Sequence, residues 1–217
     1  MAWAIAADGT TTSVTNVPGT TSIDSVLVIV GTGNLLIACG AWDSTTLVTC
    51  ADTKGNSWTR LALTGPSQQV FIFYAVANGT GSTTITISGT SVAFATLFST
   101  ERSGNASAPF AASSSYTNGA FTVAKNPLVG HLVLARRDDT LLIVLGDIRA
   151  SVGTLTVGTG YTMRKTSANA TVMEDQVATL AGNYSPEFVN GGTQEAYVLA
   201  AAFMAPQTGV KTIILKR

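Results

Sequence analysis

A chain of 217 residues that is 46% hydrophobic can bury a substantial core. Only 11% of its residues are Asp, Glu, Lys or Arg, against roughly 25% in an ordinary soluble domain. Its 12 basic and 12 acidic side chains cancel, which argues against a nucleic-acid partner, because phosphate binding needs clustered Lys and Arg.

The opening Met1-Ala2-Trp3-Ala4-Ile5-Ala6-Ala7-Asp8 has no basic flank, and its apolar run is too short for a secretion signal. No stretch approaches the roughly 18 continuous apolar residues of a membrane-spanning helix, so synthesis in the cytoplasm and no membrane partner are expected. Gly9-Thr10-Thr11-Thr12-Ser13 is one of several runs that supply polar surface without charge. The first clear strand is Leu35-Leu36-Ile37-Ala38. Cys39 and Cys50 then straddle Asp43 to Thr46, as free thiols in a small-residue core or as a cross-strand bridge. Asp52-Thr53-Lys54-Gly55-Asn56 is a tight turn, with Gly55 free to take positive φ, and lacks the acidic ladder of a calcium loop.

Val70-Phe71-Ile72-Phe73-Tyr74-Ala75-Val76 is apolar on both faces. An antiparallel sheet normally leaves one face wet, so this strand needs a second covering layer, from its own chain or from another subunit. Under the second reading Phe71 and Phe73 contact a partner. Thr83 to Ser88 alternates, which sends Ile85 and Ile87 to a core and Thr84 and Thr86 to water. A polar connection from Ser103 to Asn126 follows, with Phe121-Thr122-Val123 as a short strand inside it. Arg136-Arg137, neutralised at once by Asp138-Asp139, reads as a solvated turn. Leu141 to Leu145 and Ala196 to Met204 are again apolar on both faces. Gly31-Thr32-Gly33 and Gly158-Thr159-Gly160 lead into no helix start, so they are turns rather than phosphate loops. After Pro206, the segment carrying Ile213, Ile214, Leu215, Lys216 and Arg217 is an arm that adds a strand to a neighbour, or a last strand of its own sheet.

These elements recur. Leu35-Leu36-Ile37-Ala38 reappears 106 positions on as Leu141-Leu142-Ile143-Val144, and Trp58-Thr59 reappears 103 on as Tyr161-Thr162. The strand running into Gly79 matches the one running into Gly182, again 103 on, and Phe94 to Phe98 matches Val198 to Phe203, with Phe98 and Phe203 105 apart. A four-strand repeat of this length predicts an all-β fold, a two-sheet jelly-roll sandwich with four strands from each half. The halves cover about 18–102 and 120–206 within one domain of 1–206, followed by the arm 207–217.

Catalytic chemistry finds little support. Glu174 and Asp175 are adjacent, and neighbours in a strand point to opposite faces, so they cannot share a substrate atom. His131 is the one histidine, and neither a zinc-ligand spacing nor a G-x-S-x-G elbow occurs. No catalytic residue, metal or cofactor is expected. The four Asn-x-Ser/Thr sequons read as chance in a Thr-rich chain. Trp42, Trp58, Tyr116 and Tyr184 could stack on sugar rings, although the matching places of Trp58 and Tyr161 in the two halves suggest a shared core role.

The segments Asn34 to Ala38, Asp52 to Thr59 and Phe73 to Gly79, with Gly160-Tyr161-Thr162-Met163-Arg164 and Glu174-Asp175-Gln176, resemble a family of jelly-roll domains of tailed-bacteriophage virions and bacterial surface proteins. The resemblance spans about residues 18 to 206. It implies a capsid decoration (cement) protein, a homotrimer on the capsid surface that bridges major capsid subunits and is made in the host cytoplasm. For such a protein the contact residues read from this sequence itself are Trp3 and Ile5 at the start, Phe71 and Phe73 of the doubly apolar strand, and the arm Ile213, Ile214, Leu215, Lys216 and Arg217. The alternative it leaves is a receptor- or carbohydrate-binding module of a tail fibre or surface protein.

Overall fold

The computed structural model describes residues 3–8, 12–65, 67–103, 110–118, 128–129, 133–135, 140–148, 155–167, 171–180, 182–184, 187–190 and 196–204. The tail with Ile213, Ile214, Leu215, Lys216 and Arg217 lies outside the described residues, as do His131, Phe121 to Val123 and Arg136 to Asp139. Among the described residues every regular element is a strand. The first half supplies β1 (Ala4–Asp8), β2 (Thr12–Ile29), β3 (Leu35–Trp42), β4 (Thr49–Asp52), β5 (Thr59–Thr64), β6 (Gln69–Val76) and β7 (Gly81–Ser103). The second supplies β8 (Phe110–Asn118), β9 (Leu128–Val129), β10 (Val133–Ala135), β11 (Thr140–Ile148), β12 (Leu155–Val157), β13 (Thr162–Thr166), β14 (Thr171–Ala178), β15 (Gly182–Tyr184), β16 (Glu187–Asn190) and β17 (Ala196–Met204).

The fold is an all-β sandwich of two antiparallel sheets. One runs β5-β6-β3-β7-β1 and the other β13-β14-β11-β17-β8, so the four repeated strands take the same order in each and a fifth strand extends the same edge. The sheets stack with their orders reversed: β5 and β6 lie against β17, and β3 lies against β11 and β14. Leu35, Ile37, Ile72 and Phe98 meet Leu141, Ile143, Leu199 and Phe203 in the seam between them.

Strand identity was legible, whereas register within one strand is shifted. Cys39 lies opposite Phe98, and Leu145, its counterpart 106 positions on, lies opposite Leu199. Leu199 therefore occupies the place of Phe98. Phe203, the sequence match, sits four residues further along on the same face, because side chains repeat every second residue.

The alternate side chains of the same strands, even-numbered in β3, β11 and β17 and odd-numbered in β6 and β7, face away from the seam into two further cores. β7 is 23 residues long, enough to serve two layers. Its second part pairs with β3 in the central sheet, while Gly81 to Ser88 pairs with β2 and its Ile85 to Ser88 also with β4, in an outer layer. That layer lays Ile23, Leu27, Ile85 and Ile87 over Leu36, Phe71 and Phe73. Ile85 and Ile87 are fully buried, as their alternation with threonine predicts. In the second half Phe188 of β16 and Tyr161 cover Leu142, Val144 and Val198. The doubly apolar strands are thus covered by their own chain. Phe71 and Phe73, 0% and 3% exposed, are core residues and do not face a partner.

Gly40 and Gly146 are 106 positions apart, each two residues from the end of its central strand, both turned to the outer cores. A Cβ on Gly40 would run into the Thr96 carbonyl and the Phe71 ring, and one on Gly146 would lie 2.5–2.9 Å from carbons of the Phe188 ring. Gly146→Ala is expected to cost about 1–3 kcal/mol through overpacking. Urea unfolding should show a lower midpoint at unchanged slope.

Candidate functional site

In a chain this poor in charge, the placement of buried charge is informative. Among the described residues Glu101, Arg102, Asp147, Glu174 and Asp175 are all 4% exposed or less. A charge taken out of water is costly unless paired. Glu101 accepts hydrogen bonds from the backbone N–H of Val30 (2.8 Å) and Gly31 (3.0 Å) and from Asn34 Nδ2 (2.8 Å). It thereby fixes the turn in which Gly33 has φ +83°. Glu174 accepts from the Gly158 N–H at 3.0 Å. Both Gly-Thr-Gly segments are turns held by buried carboxylates.

The next residue along each strand points the opposite way, into the seam. Arg102 Nη2 lies 2.9 Å from Asp175 Oδ2, and Arg164 Nε donates to Asp175 Oδ1 at 2.7 Å. One carboxylate so ties β7 of the first sheet to β13 and β14 of the second. Glu174 and Asp175 serve different faces, as their adjacency requires. Arg102 lies opposite Leu35 and Phe203 opposite Leu141; Tyr74 lies opposite Ile37 and Asp175 opposite Ile143. The repeat therefore makes Tyr74–Phe203 the counterpart of the Arg102–Asp175 ion pair. That contact is an edge-on aromatic pair, with centroids 5.4 Å apart and planes at 68°. One end of the seam is ionic and the other is apolar.

At the ionic end a cleft of about 330 Å³ opens between the halves, bounded by Trp3, Ile5, Arg102, Arg164, Asp175 and Gln176. Trp3 is 7% exposed and belongs to the seam core, so it does not reach a partner as expected, while Ile5 is 41% exposed. The Trp3 indole N–H is buried with no acceptor among the described residues.

A second polar cluster lies in the seam core. Asp147 accepts from Gln68 Nε2 and from Thr171 Oγ1, both at 2.5 Å. Burial pushes its carboxyl up to about 7, against the two hydrogen bonds, which lower it, and with a smaller upward contribution from Asp43. Cys39 and Cys50 are both free thiols, and burial pushes the Cys39 thiol up to about 12. Among the described residues no group of three or more His, Cys, Asp or Glu side chains is placed to hold a metal ion.

The aromatics considered for sugar stacking do not form an exposed cluster. Trp42 is fully buried, with its Nε1 donating to the Thr90 carbonyl at 3.1 Å. Trp58 donates to Asp52 Oδ2 at 2.9 Å and packs on the first outer core, as Tyr161 packs within the second. Tyr184 donates to the Leu180 carbonyl at 3.0 Å, and the Tyr116 side chain lies outside the described residues.

The sequence gives Arg102 no role, and Arg164 enters only as the last residue of the Gly160-Tyr161-Thr162-Met163-Arg164 segment. The one available signal is that Glu101-Arg102 closes an apolar strand in a chain with so few charges. Comparison of the chain with protein-family models, curated proteins and solved structures finds no match.

The Asp147 carboxyl keeps its proton in the folded state to about pH 7, whereas an unfolded Asp loses it near pH 4. Between those values the native state binds the extra proton, so this group's contribution to stability falls as pH rises, by at most about 1.4 kcal/mol per pH unit. Asp147→Asn should flatten that slope and be relatively more stable at pH 8 than at pH 4.5, as read by chemical denaturation at both.

Proposed function

We propose that this chain is a non-enzymatic structural protein of a tailed-phage virion: a capsid decoration protein that self-associates as a homotrimer and stabilises the head by bridging major capsid subunits. The observation that supports it best is an exposed apolar stripe. Val26 and Val28 on the outward face of the end of β2, and Val30 just beyond it, are 45–56% exposed, and the one ladder partner of β2 among the described residues is β7. Solitary soluble proteins blunt such edges with Lys, Pro or bulges to prevent association; in β2 Pro18 and the register shifts all fall before Ser22, and from there to Ile29 only Asp24 brings a charge. The neighbouring strand presents Ser82, Thr84 and Thr86 beside it, giving an uncharged surface suited to docking. The net charge of zero and mean hydropathy of +0.33 agree. The motif resemblance to virion jelly rolls supplies the setting, and preferential binding to the closed shell would stabilise it by mass action.

The second reading, a receptor- or carbohydrate-binding module of a tail fibre or bacterial surface protein, draws on the seam cleft rather than on loop aromatics.

Sedimentation at micromolar concentration should give an assembly heavier than the 22.3 kDa chain that also pellets with empty heads. Val28→Asp should shift it to monomer with little change in melting temperature. A wild-type monomer that ignores heads would end the decoration reading.

A further inference from the structure

We infer that Asn78-Gly79, in the connection between β6 and β7, is a self-modifying site, an asparagine that deamidates spontaneously and thereby opens a polar clasp between two turns. Three Asn-Gly pairs occur, at Asn78, Asn118 and Asn190. Each is primed in the same way, because a glycine has no Cβ to keep its backbone nitrogen from the preceding side-chain carbon. The fold then separates them. Asn118 and Asn190 close β8 and β16 in ladder register with Ala196 and Leu155, so pairing must open before the backbone can bend back on the side chain. Asn78 is exposed and belongs to neither flanking strand. Among the described residues its side-chain carbonyl accepts no hydrogen bond and the Gly79 N–H donates none. Asn56 is the contrast, buried with both ends of its amide bonded: Nδ2 donates to Asp52 Oδ2 at 2.8 Å and Oδ1 accepts from the Asn78 N–H at 2.9 Å.

In the reaction the Gly79 nitrogen bonds to Asn78 Cγ as the Cγ–Nδ2 bond breaks, and the displaced proton leaves with that nitrogen as ammonia. Water then opens the cyclic imide at either carbonyl, leaving aspartate or isoaspartate at position 78. The change strikes a structural contact. Asn78 Nδ2 donates to the Lys54 carbonyl at 3.1 Å, and Lys54 lies in the turn gathered around Asp52, whose carboxylate accepts from Lys54, Asn56 and Trp58. In aspartate the donor becomes a carboxylate oxygen, repelled by the Lys54 carbonyl; isoaspartate removes the side-chain amide and lengthens the backbone. Either product loosens the turn from its neighbour. The inference does not rest on the virion reading.

The test is to age the full chain at mildly alkaline pH and score positions 78, 118 and 190 by peptide mapping and mass spectrometry. Asn78 should convert at least about tenfold faster than Asn118 or Asn190, which must first leave a ladder. Gly79→Ala isolates the chemistry, because a Cβ there meets nothing within 4 Å and Gly79 is not a positive-φ glycine. It should slow conversion at least about tenfold at unchanged melting temperature. Aged protein and Asn78→Asp should both exchange backbone hydrogens over residues 52–59 severalfold faster than fresh wild type. No conversion at Asn78, faster conversion at Asn118 or Asn190, a wild-type rate in Gly79→Ala, or unchanged exchange over 52–59 overturns the assignment.

Discussion

Strands that are apolar on both faces cannot border water, and this requirement organises the whole molecule. β3, β6, β11 and β17 each carry hydrophobic side chains at odd and even positions alike, so each central sheet must be covered twice. The seam covers one face of both sheets at once. The other faces are closed by outer strands, and in the first half the same chain segment, β7, supplies a strand to both layers. What looks like a surface rich in grease at the level of sequence is an interior with more than the usual number of cores.

The parts legible in the sequence were those with a local signature. Four strands per half, in matching order, follow from the repeated Leu-Leu-Ile, Trp/Tyr-Thr and Gly landmarks, and the alternation at Ile85 and Ile87 announced a half-buried strand. The outer layers left weaker traces, because β9, β10, β12, β15 and β16 are only 2–4 residues each and nothing marks where β7 passes from one layer to the next. Phe71 and Phe73 were assigned to a partner for the same reason: a doubly apolar strand states that it is covered, not by whom. The Arg102–Asp175 pair joins positions 73 residues apart across two sheets, and no spacing rule reports such a meeting.

The two halves share a plan and differ where they touch. At equivalent places one crossing is a buried ion pair extended by Arg164, and the other is Tyr74 against Phe203. A buried ion pair is weak evidence of added stability relative to a well-packed apolar contact. Its asymmetry is more telling, because it leaves a polar cleft at the ionic end of the seam.

The length of β7 has a mechanical consequence. Its first part holds the outer strand that bears the exposed valines, and its last part is bonded to β3 and reaches the seam through Arg102. A pull on the outer rim would therefore pass along one continuous backbone into the buried seam, where close packing resists deformation.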